Sequence, residues 1–186
     1  MTHDSSLISG LRSVAFNVPD LALAEDFYTR VWGLSVAARE AGALYLRATG
    51  ADHHVLALHQ QEGPAQIRHV TLRARSLQAL RQAATAALSA GGRVVQPLAE
   101  LKSPGGGTAL SIADPDGRVF QLVFGDALHT DTSVQPDAPI RLAHAVLNSH
   151  DVEASRVFLE QVLDFSLSDR TRIMAFMRCN RDHHSK

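Results

Sequence analysis

The chain has 186 residues, 45% of them apolar and 20% charged, with a formal net charge of −1. That balance suits a soluble globular protein and gives no electrostatic reason to expect nucleic acid or an anionic membrane as a partner. Cys179 is the one cysteine, which excludes an intramolecular disulfide. Residues 1–10 have no signal-like apolar stretch, no run approaches the ~20 apolar residues of a bilayer span, and a cytoplasmic location is expected.

Residues 13–18 (SVAFNV) read as a strand closed by Pro19-Asp20. A helix follows over 21–32, where Leu23, Phe27 and Val31 recur at helical spacing before Gly33 ends it. Three strand-like runs come next, at 34–39, 43–48 and 55–59. The same order then returns: a strand at 67–73, an alanine-rich helix at 77–90 ended by Gly91-Gly92, and strands at 93–98, 108–113 and 119–124. Asp114-Pro115-Asp116-Gly117 makes a tight turn between the last two, proline presetting one torsion and glycine permitting the next. The Ser103-Pro104-Gly105-Gly106-Gly107 run has neither the lysine nor the following helix of a phosphate loop and is expected to be a flexible loop.

Beyond Pro136 and Pro139 the pattern starts a third time, with a strand at 141–148, a helix at 152–163, and strands at 165–168 and 174–179. Phe158 to Val162 lies over Phe27 to Val31 at an offset of 131 (158 − 27), and Asp182-His183-His184 over Asp52-His53-His54 at an offset of 130 (182 − 52). The expected architecture is α+β, built of tandem strand-helix-three-strand (βαβββ) modules. Residues 1–130 form a complete pair, 131–140 a linker, and 141–186 the start of a second, C-terminal domain. An open sheet needs its edge and apolar face covered, so a further module of roughly 100 residues is expected to follow.

Tandem modules with DPDG before a final strand resemble the vicinal-oxygen-chelate superfamily of glyoxalases, bleomycin-resistance proteins and dioxygenases. Within it, Leu142-Ala143-His144-Ala145-Val146-Leu147, Phe176-Met177-Arg178-Cys179-Asn180 and Asp182-His183-His184-Ser185 resemble two-domain type I extradiol dioxygenases, typified by 2,3-dihydroxybiphenyl 1,2-dioxygenase and catechol 2,3-dioxygenase. The resemblance implies meta-cleavage of a catecholic aromatic by O2 on Fe(II) held by two histidines and a glutamate of the second domain. It implies His144 as the first iron ligand, His184 as the active-site acid/base, and Val146 and Phe176 as substrate-pocket residues. The other two ligands belong to the fourth module, and the first domain is metal-free.

The chemistry is coherent with those residue types. Two imidazoles and one carboxylate leave three metal positions open, enough for two phenolate oxygens and dioxygen. A neighbouring histidine can take the second phenol proton and return it as the O–O bond breaks. Side chains alternate along a strand, so only one of His183 and His184 can face the cavity. In the first pair the ligand positions correspond to Val14, His69 and Gln121, of which only one could ligate, so that pair is expected to be structural. His53 and His54 repeat the Asp-His-His motif there and are expected to serve strand-end hydrogen bonds. Cys179, in an apolar strand, is expected to be buried. Two other functions fit the same modules: a glyoxalase-type isomerase, or a metal-free small-molecule binder. The unpartnered third module makes a homo-oligomer the expected assembly.

Overall fold

The computed structural model describes residues 6–133 and 135–180. The first module comprises β1 (Ile8–Val18), α1 (Leu21–Asp26) running on into a π-helical turn (Phe27–Val31), β2 (Ser35–Glu40), β3 (Ala43–Arg47) and β4 (Leu56–Gln60). The second comprises β5 (Gln66–Ala74), α2 (Leu77–Ser89), β6 (Arg93–Glu100), β7 (Thr108–Ala113) and β8 (Val119–Phe124). The third contributes α3 (Val152–Leu163), β9 (Ser166–Arg170) and β10 (Ala175–Arg178). Each helix starts on the same device. Asp20, Ser76 and Asp151 accept a hydrogen bond from the backbone N–H three residues on, which satisfies a donor the helix leaves free.

Eight strands form one sheet in the order β2-β3-β4-β1-β5-β8-β7-β6. The two modules meet where β1 and β5 run antiparallel, with β4 parallel to β1 and β8 parallel to β5. The starts of α1 and α2 are 56 residues apart (77 − 21). The same offset exchanges the cross-strand pairs Ser13↔Thr71 and Ala15↔His69 and leaves Val14↔Val70 on itself. A local pseudo-twofold axis therefore passes through the Val14↔Val70 pair.

Strand alternation gives the sheet two unlike faces. Val14, Val70, Leu72, Leu110, Ile112 and Leu122 point to the helix side, against Ala79, Leu80, Ala83 and Ala87 of α2. Leu44, Leu46, Leu56 and Leu58 form the matching layer under Leu21, Ala24 and Tyr28. The expected apolar stripe of α1 is not the one that packs. Leu23, Phe27 and Val31 are 68%, 45% and 64% exposed, because Leu21, Ala24 and Tyr28 (spacings of three and four) already fill the contact with the sheet.

The third module lies on the helix side. Phe158, Val162 and Leu163 of α3 are buried against the alanines of α2, whose small side chains permit the close approach. A Cβ on Gly92 would sit 2.8 Å from Phe158 Cε2 and 2.5 Å from Ala113 O, so glycine makes room for that ring. The DPDG turn anchors the module. Asp114 accepts from Arg118 N–H at 2.9 Å, and Arg118 reaches on to Asn148 O at 2.9 Å and Ser155 Oγ at 2.7 Å. Asp116 accepts from Ser149 Oγ and His150 N–H.

The strand expected over 141–148 is absent. Leu142, Ala145 and Leu147 pack on the core, but no described strand lies alongside to pair with that backbone, and 141–149 runs without a ladder. The preceding linker is held down, since Thr49 N–H donates to Pro139 O and Gly50 N–H to Ile140 O, both at 2.9 Å. Both outer strands of the large sheet are irregular: β2 slips register between Val36 and Ala38, and β6 between Val94 and Gln96 and again around Pro97. Among the described residues, no helix is long and apolar enough to cross a membrane.

Candidate functional site: a donor-lined cleft in the first pair

The face of the sheet away from the helices is polar and concave, and it holds a cleft of about 460 Å³. Neighbouring strands place side chains on it in rows. Ser13, Thr71, Gln121, Ser111 and Gln96 follow one another across β1, β5, β8, β7 and β6. A second row runs Tyr45, Ala57, Ala15 and His69. Two bulges add arginines. The pairing steps from Leu11↔Leu72 to Ser13↔Thr71, making Arg12 the extra residue, and from Ala15↔His69 to Phe16↔Ile67, making Arg68 the extra one. Both line the cleft, and at an offset of 56 (68 − 12) they are equivalents under the pseudo-twofold.

Arg12 is 3% exposed and anchored by charge. Its Nε donates to Asp126 Oδ2 at 3.3 Å, while Arg73 makes a two-bonded pair with the same carboxylate at 2.9 and 2.8 Å and also reaches Asp52 at 3.0 Å. Burial alone would raise the Asp126 carboxyl. The hydrogen bonds from Arg73 and the charges of Arg73 and Arg12 outweigh it and hold that group below the ordinary carboxylate range. Arg12 is itself lowered, first by burial and then by crowding from Arg73, so Asp126 is the stabilised partner of this cluster.

A histidine relay continues from Arg12. Its Nη1 lies 2.7 Å from His54 Nε2, and a guanidinium can only donate, so that nitrogen accepts. His54 then carries its proton on Nδ1 and donates to His53 Nδ1 at 3.0 Å. His53 stacks on His129, whose Nε2 donates to His53 O at 3.1 Å. Burial and the neighbouring Arg12 charge push His54 down to about 2, which keeps it neutral. Both of its ring nitrogens are engaged, so His54 has none left for a metal or for proton transfer. The Asp52-His53-His54 run is thus a clasp, and the Asp52↔Leu128 bridge closes it onto the chain after β8.

The glycine run is a wall of the cleft rather than a flexible loop. Leu101 N–H donates to Gly107 O and Ala127 N–H to Gly105 O, both at 2.8 Å. Gly105 has φ +94° and a Cβ there would lie 2.7 Å from Arg12 Nη2, so only glycine lets the loop lie on the guanidinium. His59 and His69 also line the cleft; burial and the Arg68 charge lower both, His69 to about 4. The expectation that His69 is merely structural overlooked this placement. Val14 belongs to the core, and its neighbour Ser13 faces the other way.

The residues expected to carry chemistry in the third module do not assemble into a centre among the described residues. His144 and Val146 are exposed on the ladderless 141–149 segment, and Phe176 is half-buried on β10 opposite Asp169. His184 and His183 lie outside the described residues. No three His, Cys, Asp or Glu side chains of the described residues converge as a metal-ligand set. Nor does the cleft fit an iron held by two imidazoles and a carboxylate: its lining includes no carboxylate, and Gln121 stands where one would be needed. Cys179 is half-buried, and burial raises its thiol.

Comparison with known proteins agrees with this architecture. The sequence profile of the Glyoxalase/Bleomycin resistance protein/Dioxygenase superfamily matches residues 10–122 and 141–185. A Mn(II)-bound glyoxalase from Novosphingobium aromaticivorans superposes with a TM-score of 0.87 at 29% identity, covering 94% of this chain and 59% of the other. A variant of homoprotocatechuate 2,3-dioxygenase from B. fuscum in complex with HPCA superposes with a TM-score of 0.79 at 26% identity, covering 93% and 51%. The anaerobic complex of the Brevibacterium fuscum enzyme with 3,4-dihydroxyphenylacetate gives 0.78 at 25%, covering 95% and 59%. The chain thus spans between half and three-fifths of the length of these structures. A search of curated protein sequences found no match.

Proposed function

We propose, from the premise that this chain belongs to the Glyoxalase/Bleomycin resistance protein/Dioxygenase superfamily, that it is part of an extradiol ring-cleaving dioxygenase acting on a catecholic aromatic with Fe(II) and O2. The observation that carries the reading is the third module. α3 repeats α1 at an offset of 131 in its cap (151 − 20), its start (152 − 21) and its left-handed end, Asp164 at φ 56° against Gly33 at φ 70°. This repeat supports the reading that a second domain begins within the chain, as in a two-domain enzyme. The B. fuscum dioxygenase supports the reading by matching 93% of the chain. Under this proposal His144 is one iron ligand, His184 the acid/base, and Val146 and Phe176 pocket residues, with the two remaining ligands supplied from outside this sequence. The described residues do not by themselves form the metal set.

The test uses the natural protein isolated from its source with an antibody to this chain. Its intact mass, iron content and O2 uptake with 3,4-dihydroxyphenylacetate are measured. The reading expects a mass well above that of 186 residues, iron near one per chain, O2 consumption with a yellow ring-fission product, and loss of iron in His144→Ala. Neither iron nor O2 uptake with any catechol would overturn it. The Novosphingobium glyoxalase, with the higher TM-score of 0.87, favours a second reading, a glyoxalase-type isomerase. Turnover of a glutathione hemithioacetal with Mn(II), without O2 uptake, would select that one.

A further inference from the structure

The polar face of the first pair is built to donate hydrogen bonds. Thr71 Oγ1 donates to Gln121 Oε1 at 3.4 Å and Ser111 Oγ to Gln96 Oε1 at 3.2 Å. In each amide the oxygen accepts, which leaves the NH2 group as the donor these two cleft-lining residues can offer a ligand. Arg68 adds a guanidinium that is exposed and whose one hydrogen bond among the described residues goes to neutral Asn17 Oδ1, at 3.2 Å. Unlike its pseudo-equivalent Arg12, it has no carboxylate partner there. Glu40, at the Tyr45 end, accepts from that phenol at 3.0 Å.

A cleft rich in donors, positive in charge and without a lining carboxylate complements a ligand that only accepts. Its remaining wall, Ala57, Val95, Leu101, Pro104 and Val119, is apolar, and a volume of about 460 Å³ falls in the range of small-molecule sites. We infer that the cleft of the first pair binds a small organic anion, a carboxylate with an apolar body, its charge held by Arg68 and the amides of Gln121 and Gln96. Burial lowers His59 and His69 first and the Arg68 charge lowers them further, so the positive field of Arg68 reaches the cleft an anion would enter. This inference does not depend on the dioxygenase reading.

The experiment is calorimetric titration of the chain with benzoate and with benzyl alcohol, its uncharged counterpart. One benzoate should bind per chain, with benzyl alcohol weaker by about tenfold or more, as loss of a charge-assisted pair implies. Arg68→Gln should weaken benzoate by a similar factor and leave the melting temperature in place, because Arg68 is exposed. Gln121→Leu, on the neighbouring strand β8, should weaken it several-fold and gives a second line should Arg68→Gln misfold. No benzoate binding at millimolar concentration, equal affinity for benzyl alcohol, or benzoate affinity unchanged in both variants would each overturn the inference.

Discussion

Helices α1 and α3 begin on an aspartate cap and share a sequence pattern, yet they sit in opposite environments. Phe158 and Val162 of α3 are 2% and 0% exposed, whereas Phe27 and Val31, at the same positions in the π-helical turn that continues α1, are 45% and 64% exposed. What differs is the neighbour. α2 receives the stripe of α3 with alanines and the gap at Gly92, while no described helix receives that of α1. An apolar spacing therefore marks a face able to pack, and tertiary context decides whether it does.

The largest effect expected from this contrast is in the paired substitutions. Phe158→Ala should cost about 3–5 kcal/mol in urea unfolding, and Phe27→Ala under about 1 kcal/mol; equal losses would break the comparison. Acid should act next, on the first pair. An unfolded imidazole takes its proton near 6.5 and folded His54 only near 2. Between those values the unfolded chain binds more protons, so stability is full above pH 6.5 and falls as pH drops. His54 should account for about 2 kcal/mol lost from pH 6.5 to 5, and His54→Gln, which keeps an acceptor for Arg12, should remove that share and leave the part due to His69, which is lowered to about 4. An unaltered profile in the variant would show that the clasp is not the acid-sensitive element.

Gly92→Ala should cost about 1–3 kcal/mol by pushing against Phe158 and the backbone. Phe158→Leu in the same chain should recover part of it, and no recovery would separate Gly92 from the docking of α3. The smallest effect is at the helix ends. Asp164 holds the left-handed conformation that Gly33 holds in α1, so Asp164→Gly should stabilise by about 0.5–1 kcal/mol. A loss there would mean that the aspartate side chain matters more than its backbone strain.

The order of elements was legible because each strand and helix in the complete pair carries its own period, caps and glycine stops. Ranges such as 108–113, 119–124 and 152–163 match the observed elements to the residue. What failed depends on a partner. Residues 141–148 have apolar strand chemistry, but a strand exists only beside another. The stripe of Leu23, Phe27 and Val31 was visible, its exposure was not. The cleft was barely legible for the same reason. Arg12 and Arg68 reach it through bulges, which arise from the register of two strands and leave no mark in either alone. A signal was available in the equal spacing of the two arginines and the two helix starts. The doubled Asp-His-His motif did announce a hydrogen-bonding role at 52–54, though not the relay through Arg12 and His129.

The outer strands of the large sheet bear on how the protein behaves at high concentration. A regular edge offers unsatisfied backbone groups to any passing chain. Here β2 ends in Arg39 and Glu40 and is kinked at Ala37, and β6 lacks an N–H at Pro97 and slips register twice. Neither margin presents an even row for a foreign strand to zip onto. The eight-stranded sheet is thus guarded against end-to-end polymerisation into fibrils by irregularities that cost it ladder hydrogen bonds.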